Sequence, residues 1–139
     1  MRTGVVLSNT GGAFLKMLAP IKYYVGAALG TGKQILPWIH IKDFSRAYLH
    51  ILEKELGGIF NAVATEQVSN KAFTKAAAKA YNRPLLLPNI PAFMLKLLLG
   101  EMATLLLEGS AIDNSLIKNT GFVFEYDTLD VAVRELTYF

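Results

Sequence analysis

The residues best suited to chemistry sit in the stretch VGAALGTGKQ, Val25 to Gln34, where Gly26, Gly30 and Gly32 lead into Lys33. A loop that cradles phosphate needs a glycine five residues before its Gly-Lys pair and a Ser or Thr after it to hold magnesium. Here the fifth residue before Gly32 is Ala27, and Lys33 is followed by Gln34. The loop must also open a helix whose first amides face the phosphates. Instead Ile35-Leu36-Pro37-Trp38-Ile39 follows, with a proline that resists helix and apolar residues that favour strand. The stretch is not a nucleotide P-loop.

The other candidates are few. The chain has no cysteine, which excludes disulfides, thiolate catalysis and cysteine metal sites and fits a cytoplasmic protein. His40 and His50 stand apart with no carboxylate pattern nearby, so no metal site is expected. Trp38 and His40 alternate with Ile39 and Ile41 and fall on one face of a strand. Asp43 reads as a helix cap rather than an acid, and Arg46, three residues on, is placed to pair with it. Asn61, amid an otherwise apolar strand, is placed to hold a backbone loop.

These residues need elements to position them. Gly4 to Ser8 reads as a buried strand, apolar on both faces as in a parallel sheet. A short helix from Ala13 to Leu18 should stop before Pro20. After the glycine loop come a strand at Leu36 to Ile41 and a helix at Phe44 to Lys54, capped by Asp43 and striped by Phe44, Ala47, Tyr48, Ile51 and Leu52. A strand at Ile59 to Val63 precedes a helix at Asn70 to Tyr81, capped by Ser69. From Pro91 onward the pattern is helical: two leucine-rich pieces divided near Gly100, a third from about Asn114 to Gly121, and a last one capped by Asp127 or Thr128. Leu97, Leu98, Leu105 and Leu106 form a stripe suited to core or interface, and Glu101 and Met102 read as structural. Alternating strands and helices point to an α/β fold with a parallel sheet, but three short strands are too few for a complete doubly wound one.

Composition narrows the function. With 139 residues the chain can bury a real core. Its 14 basic and 11 acidic side chains leave a net charge of +3, with no basic run and no interleaving of aromatic and basic residues, so nucleic acid is not an expected partner. The apolar share, 53%, is high and the charged share, 18%, is low. No uninterrupted apolar run approaches the roughly 20 residues that a bilayer requires, since Pro88, Pro91, Lys96, Glu101 and Glu108 break the greasiest region. The excess is therefore read as apolar surface that meets another protein surface.

The segments RTGVVLSNTGGAFLKMLAP, GAALGTGKQILPWIHIKDFSRAYLHIL and GIFNAVATEQVSNKAFTKAAAKAYNRP closely resemble the C-terminal half of the sugar-nucleotide epimerase-like proteins. These belong to the NAD-dependent epimerase/dehydratase group of the extended short-chain dehydrogenase/reductase superfamily. The tail, LLLGEMATLLLEGSAIDNSLIKNTGFVFEYDTLDVAVREL, resembles the small helical domain that this group carries. Trp38 to Asp43 and Leu99 to Ala103 are the most specific segments. The resemblance implies a partial Rossmann-like parallel sheet of late strands with substrate-side loops over residues 1–84, and a small helical C-terminal domain over 85–139.

In that family the N-terminal half binds NAD or NADP and the C-terminal half serves the substrate, a sugar nucleotide. Proton transfer rests on a Tyr-x-x-x-Lys pair. This chain lacks the Gly-rich cofactor fingerprint, and none of its six tyrosines has a lysine four residues on. No catalytic residue is assigned, and neither cofactor is expected to bind tightly to this chain alone. The resemblance places Gly26, Gly30 and Gln34 beside the substrate cleft, Arg2 near it, and Trp38 and His40 at its rim. Plainer accounts stand beside these: a flexible turn, a frayed terminal arginine, a packed tryptophan and a hydrogen-bonded histidine. Met1 stands where a family member would be in mid-chain, so the chain reads as a fragment, a truncation or the product of a broken frame. A missing N-terminal half or self-association is expected to cover its apolar faces. The reading left beside this one is a non-catalytic module for oligomerisation or ligand binding.

Overall fold

The computed structural model describes residues 1–24 and 26–138. The first apolar run forms two short strands, β1 (Arg2–Thr3) and β2 (Val5–Leu7), on either side of Gly4. A Cβ on Gly4 would fall 2.3 Å from the carbonyl oxygen of Pro37, so only glycine allows this approach. Downstream lie β3 (Ile35–Leu36), β4 (Trp38–His40), β5 (Asn61–Ala62) and β6 (Val68–Ser69). β1 pairs with β5 in parallel, Arg2 opposite Asn61. β2 pairs with β4 in parallel, Val5 opposite Trp38 and Leu7 opposite His40. The Ala64 amide donates to the Trp38 carbonyl at 2.7 Å, so the chain leaving β5 runs beside β4.

Both faces of these strands are covered, as the apolar runs imply. On one side α1 (Ala13–Lys22), α3 (Asn70–Ala80) and α7 (Leu129–Thr137) pack Phe14, Leu18, Phe73, Ala77, Val133 and Leu136 around Leu7 and Trp38. On the other, α2 (Ile41–Glu53) and α6 (Ser115–Asn119) place Ala47 and Ile117 against Ile39, Ala62, Phe122 and Phe124. Trp38 and Ile39 enter different cores because successive strand residues point to opposite faces. The fold is α/β with short parallel strands. The two leucine-rich pieces are α4 (Ala92–Leu99) and α5 (Met102–Leu107), divided at Gly100 as the sequence predicts. Of their proposed stripe, Leu97 is exposed, whereas the side chains of Leu98, Leu105 and Leu106, like that of Met102, lie outside the described residues.

Several local expectations are corrected. α1 does not stop before Pro20 but carries it in its last turn, where Leu18 and Ile21 are buried and anchor the helix end. Burial of that turn outweighs the hydrogen bond proline removes. α2 starts at Ile41, and its cap is His40, not Asp43. Ser69 does cap α3, accepting the Ala72 amide at 3.2 Å. α7 has no side-chain cap from Thr128. Its first amide, Leu129 N–H, donates instead to Glu66 at 2.5 Å, while Asp127 accepts the Thr65 amide at 2.6 Å. The antiparallel β3–β6 pair has no signal in the sequence, since Val68-Ser69 is too short to show a period.

Candidate functional site

A cleft of about 500 Å³ opens beside β1 and β2, where Val5, Val6, Gly12 and Pro37 face Thr104, Gly109 and Ile112. Two glycines set its walls. Gly4 brings the first strands onto Pro37, and a Cβ on Gly109 would fall 1.8 Å from the Ile35 carbonyl oxygen. The segment after α5 therefore lies directly on the β3 backbone, which no residue with a side chain permits there. Thr3, Thr104 and Ser110 add hydroxyls, and Glu108 adds the one charge. An apolar floor with a few hydroxyls and a carboxylate suits a polyhydroxylated ligand, whose hydroxyls donate to Glu108. Among the described residues no cation lines it and Glu108 repels negative charge, so it suits the sugar end of a ligand and not a pyrophosphate.

A second constellation lies under α7. His40, at the end of β4, is fully buried. Its Nδ1 accepts the Lys42 amide at 3.2 Å, which caps α2 and leaves the ring proton on Nε2. That Nε2–H donates to Glu135 Oε2 at 2.8 Å. Lys42 Nζ pairs with Glu135 Oε1, and the Tyr126 ring stacks on the imidazole at 4.0 Å and 20°. Burial pushes the imidazole below its ordinary 6.5, and the Glu135 bond and charge only partly oppose this. The hydrogen bond from Lys42 holds the Glu135 carboxyl below its ordinary 4.5, and the same bond raises Lys42. Beside this group, buried Asp43 accepts the Glu125 amide at 3.1 Å and the Tyr126 amide at 2.8 Å. It also pairs with Arg46 at 2.6 Å, as its spacing predicts. Asp43 thus holds a distant loop instead of capping its own helix.

The residues singled out by resemblance are not gathered in one place. Arg2 is exposed beside Thr3, which lines the cleft, and its side chain has no hydrogen-bond partner among the described residues. Trp38 and His40 are fully buried and do not line the cleft, although Pro37 does. The absence of a carboxylate partner for His40, argued from its sequence neighbours, is corrected by Glu135. Gly26 packs against Ile21, where a Cβ would lie 2.7 Å from Cγ1. Gly30, at a φ of 56° that favours glycine, donates to the Ile90 carbonyl at 2.8 Å. Gln34 Nε2 donates to the Leu29 carbonyl at 2.9 Å, so the loop is braced from within. It backs onto α5, because a Cβ on Gly30 would meet Leu107, the neighbour of Glu108.

Sequence reasoning missed three supporting residues. Asn70, fully buried at the start of α3, accepts the Leu29 amide at 2.7 Å and tethers the glycine loop. Asn114, buried before α6, donates to the Val63 carbonyl at 2.9 Å. Glu135 is the third. No local pattern marks them, since each partner lies far away in the chain. Asn61 was legible: its side chain donates to the Asp113 carbonyl at 2.9 Å and holds a loop. No helix among the described residues is long and apolar enough to cross a membrane.

Comparison with known proteins places this geometry in context. Residues 90–136 match the model of a domain of unknown function, DUF1731. An epimerase family protein of Staphylococcus aureus (strain MRSA252) is 35% identical over 136 residues, covering 97% of this chain and 45% of that protein. The crystal structure of human epimerase family protein SDR39U1 (isoform 2) with NADPH superposes with a TM-score of 0.90 at 33% identity, over 98% of this chain and 46% of that one. The nucleoside-diphosphate sugar epimerase from Corynebacterium glutamicum superposes with a TM-score of 0.69 at 28% identity, over 99% of this chain and 26% of that one. The chain spans a little under half the length of the S. aureus and human proteins.

Proposed function

Because the chain belongs to the epimerase family, we propose that it supplies the substrate side of an NAD(P)-dependent, sugar-nucleotide epimerase-like protein and is not an active oxidoreductase by itself. The observation that carries this reading is the make-up of the cleft beside β1 and β2: hydroxyls and Glu108 for the sugar, with the phosphates of a sugar nucleotide left outside it. The glycine-rich cofactor fingerprint and the tyrosine–lysine pair that would move the proton are missing from the sequence. NAD or NADP, the cofactor that would exchange hydride, therefore has to be held by another part of the protein.

In this reading exposed Arg2, next in the chain to cleft-lining Thr3, meets the ligand's phosphates outside the cleft. Gly26, Gly30 and Gln34 shape the loop that supports the α5 wall, and buried Trp38 and His40 hold the strand beneath it. Calorimetry with UDP-glucose and with NADPH, together with an NADPH oxidation assay, tests the proposal. The 139-residue chain should bind UDP-glucose weakly and oxidise no NADPH. Adding the separately produced N-terminal portion of the S. aureus relative should bring NADPH binding. Turnover by the chain alone would overturn the reading.

A second reading, a module for self-association, is favoured by one observation. Phe93 and Leu97 on α4 are 72% and 87% exposed, beside exposed Leu86, Leu87 and Met94. Large apolar side chains grouped in this way mark surfaces that meet protein.

A further inference from the structure

We propose that the cleft between α3 and α7 is a separate binding site for a small phosphorylated metabolite. It measures about 410 Å³ and shares no lining residue with the cleft beside β1 and β2. That volume lies in the range of small-molecule sites, about 300–1,000 Å³. The recess exists because α3 turns Ala76 and Ala80 toward α7, and methyl groups one turn apart cannot fill the space between two helices. Buried Val133 forms its floor.

The charges around the recess point to an anion. Lys79 from α3 and Arg134 from α7 both line it, and neither has an anionic partner among the described residues. Elsewhere in the chain Lys42 and Arg46 are each paired with a carboxylate. Lys71 and Lys75 precede Lys79 at four-residue spacing on α3. Like charges so placed repel one another, and a bound anion relieves that repulsion. Arginine offers a planar fork that meets two phosphate oxygens, and lysine adds a point charge. Asp130 is the one carboxylate at the rim, against two cations. It repels the phosphate but accepts from a hydroxyl, so a ligand with a phosphate at one end and hydroxyls at the other satisfies both sides. Exposed Tyr138 stands at the mouth.

The test is amide-resolved NMR titration of the 139-residue chain with ribose 5-phosphate, and with ribose as the uncharged control. Ribose 5-phosphate should shift amides along α3 and α7 saturably, and ribose should not. Replacing Lys79→Gln or Arg134→Gln should weaken binding by at least about tenfold, because each removes a charge-assisted bond. Both side chains are exposed, so thermal unfolding should remain that of the parent. Lys75→Gln removes the same charge from the same helix outside the recess, and should change affinity less than about twofold. No saturable shift, shifts centred on Thr3 and Glu108 instead, or an equal loss from Lys75→Gln would each overturn the proposal.

Discussion

Glu135 Oε2 lies 2.8 Å from His40 Nε2, although the two residues are 95 positions apart in the chain. The other oxygen of the same carboxylate holds Lys42. One side chain on α7 therefore fastens the end of β4 and the first turn of α2, and with them the region matched by the domain model to the strand layer. A buried imidazole N–H that loses its acceptor retains the desolvation cost without compensation.

Glu135→Ala should accordingly destabilise the chain by about 1–3 kcal/mol, because it orphans the His40 donor. Glu135→Gln keeps an acceptor and should cost less. Urea unfolding followed by circular dichroism measures both. Equal stability of Glu135→Ala and the parent would mean that the pair holds nothing.

The same pair sets a pH dependence. His40 is depressed in the folded chain, so its contribution is complete above the ordinary value of 6.5. As pH falls through 6.5 the unfolded chain takes up a proton that the folded chain resists, and stability is lost until the folded imidazole also titrates. Glu135, depressed from 4.5, adds a further loss as pH falls below that value. Lys42, raised from 10.5, acts only at the alkaline end, where its contribution is lost. Urea midpoints at pH 7.5 and 5.5 should differ in the parent and differ less in His40→Asn. A parent midpoint that does not move over this interval would contradict the assignment.

The cleft walls make a third prediction. Gly4→Ala and Gly109→Ala each drive a methyl into a backbone carbonyl, at 2.3 Å and 1.8 Å. Backbone must shift in both, at a cost of at least about 1–3 kcal/mol. Gly57→Ala serves as the control, because a Cβ there meets nothing within 4 Å. Thermal unfolding ranks the three, with Gly109→Ala lowest and Gly57→Ala closest to the parent.

The exposed face of α4 makes a fourth. Light scattering after size exclusion should find a dimer or larger assembly, and Leu97→Glu with Phe93→Glu should shift it toward monomer. A monomeric parent would remove the support for self-association.

Much of the framework was legible in the residues. Val5–Leu7 is apolar without alternation, the pattern of a parallel strand covered on both faces, and it does pair in parallel with Trp38–His40. Ser69 announces α3 and Gly100 divides α4 from α5, because a cap and a left-handed glycine act within a few residues. Pro20 misled for the opposite reason. Its local cost was visible, and the burial of Leu18 and Ile21 that outweighs it was not.

The sequence by itself thus determined the class of the fold, the order of its helices and main parallel strands, its likeness to one family, and the lack of a Gly-rich fingerprint and a Tyr-x-x-x-Lys pair in these residues. Each of these is written in types and spacings only a few residues apart. Tertiary structure alone decided that His40 caps α2 and meets Glu135, that Asp43 holds a distant loop, and that Glu66 caps α7. It also decided that Lys79 and Arg134 share one recess. Apart from the His40 cap, such partners lie far apart in the chain, and a hydrogen bond or a recess depends on distance in space, which spacing along the sequence does not encode.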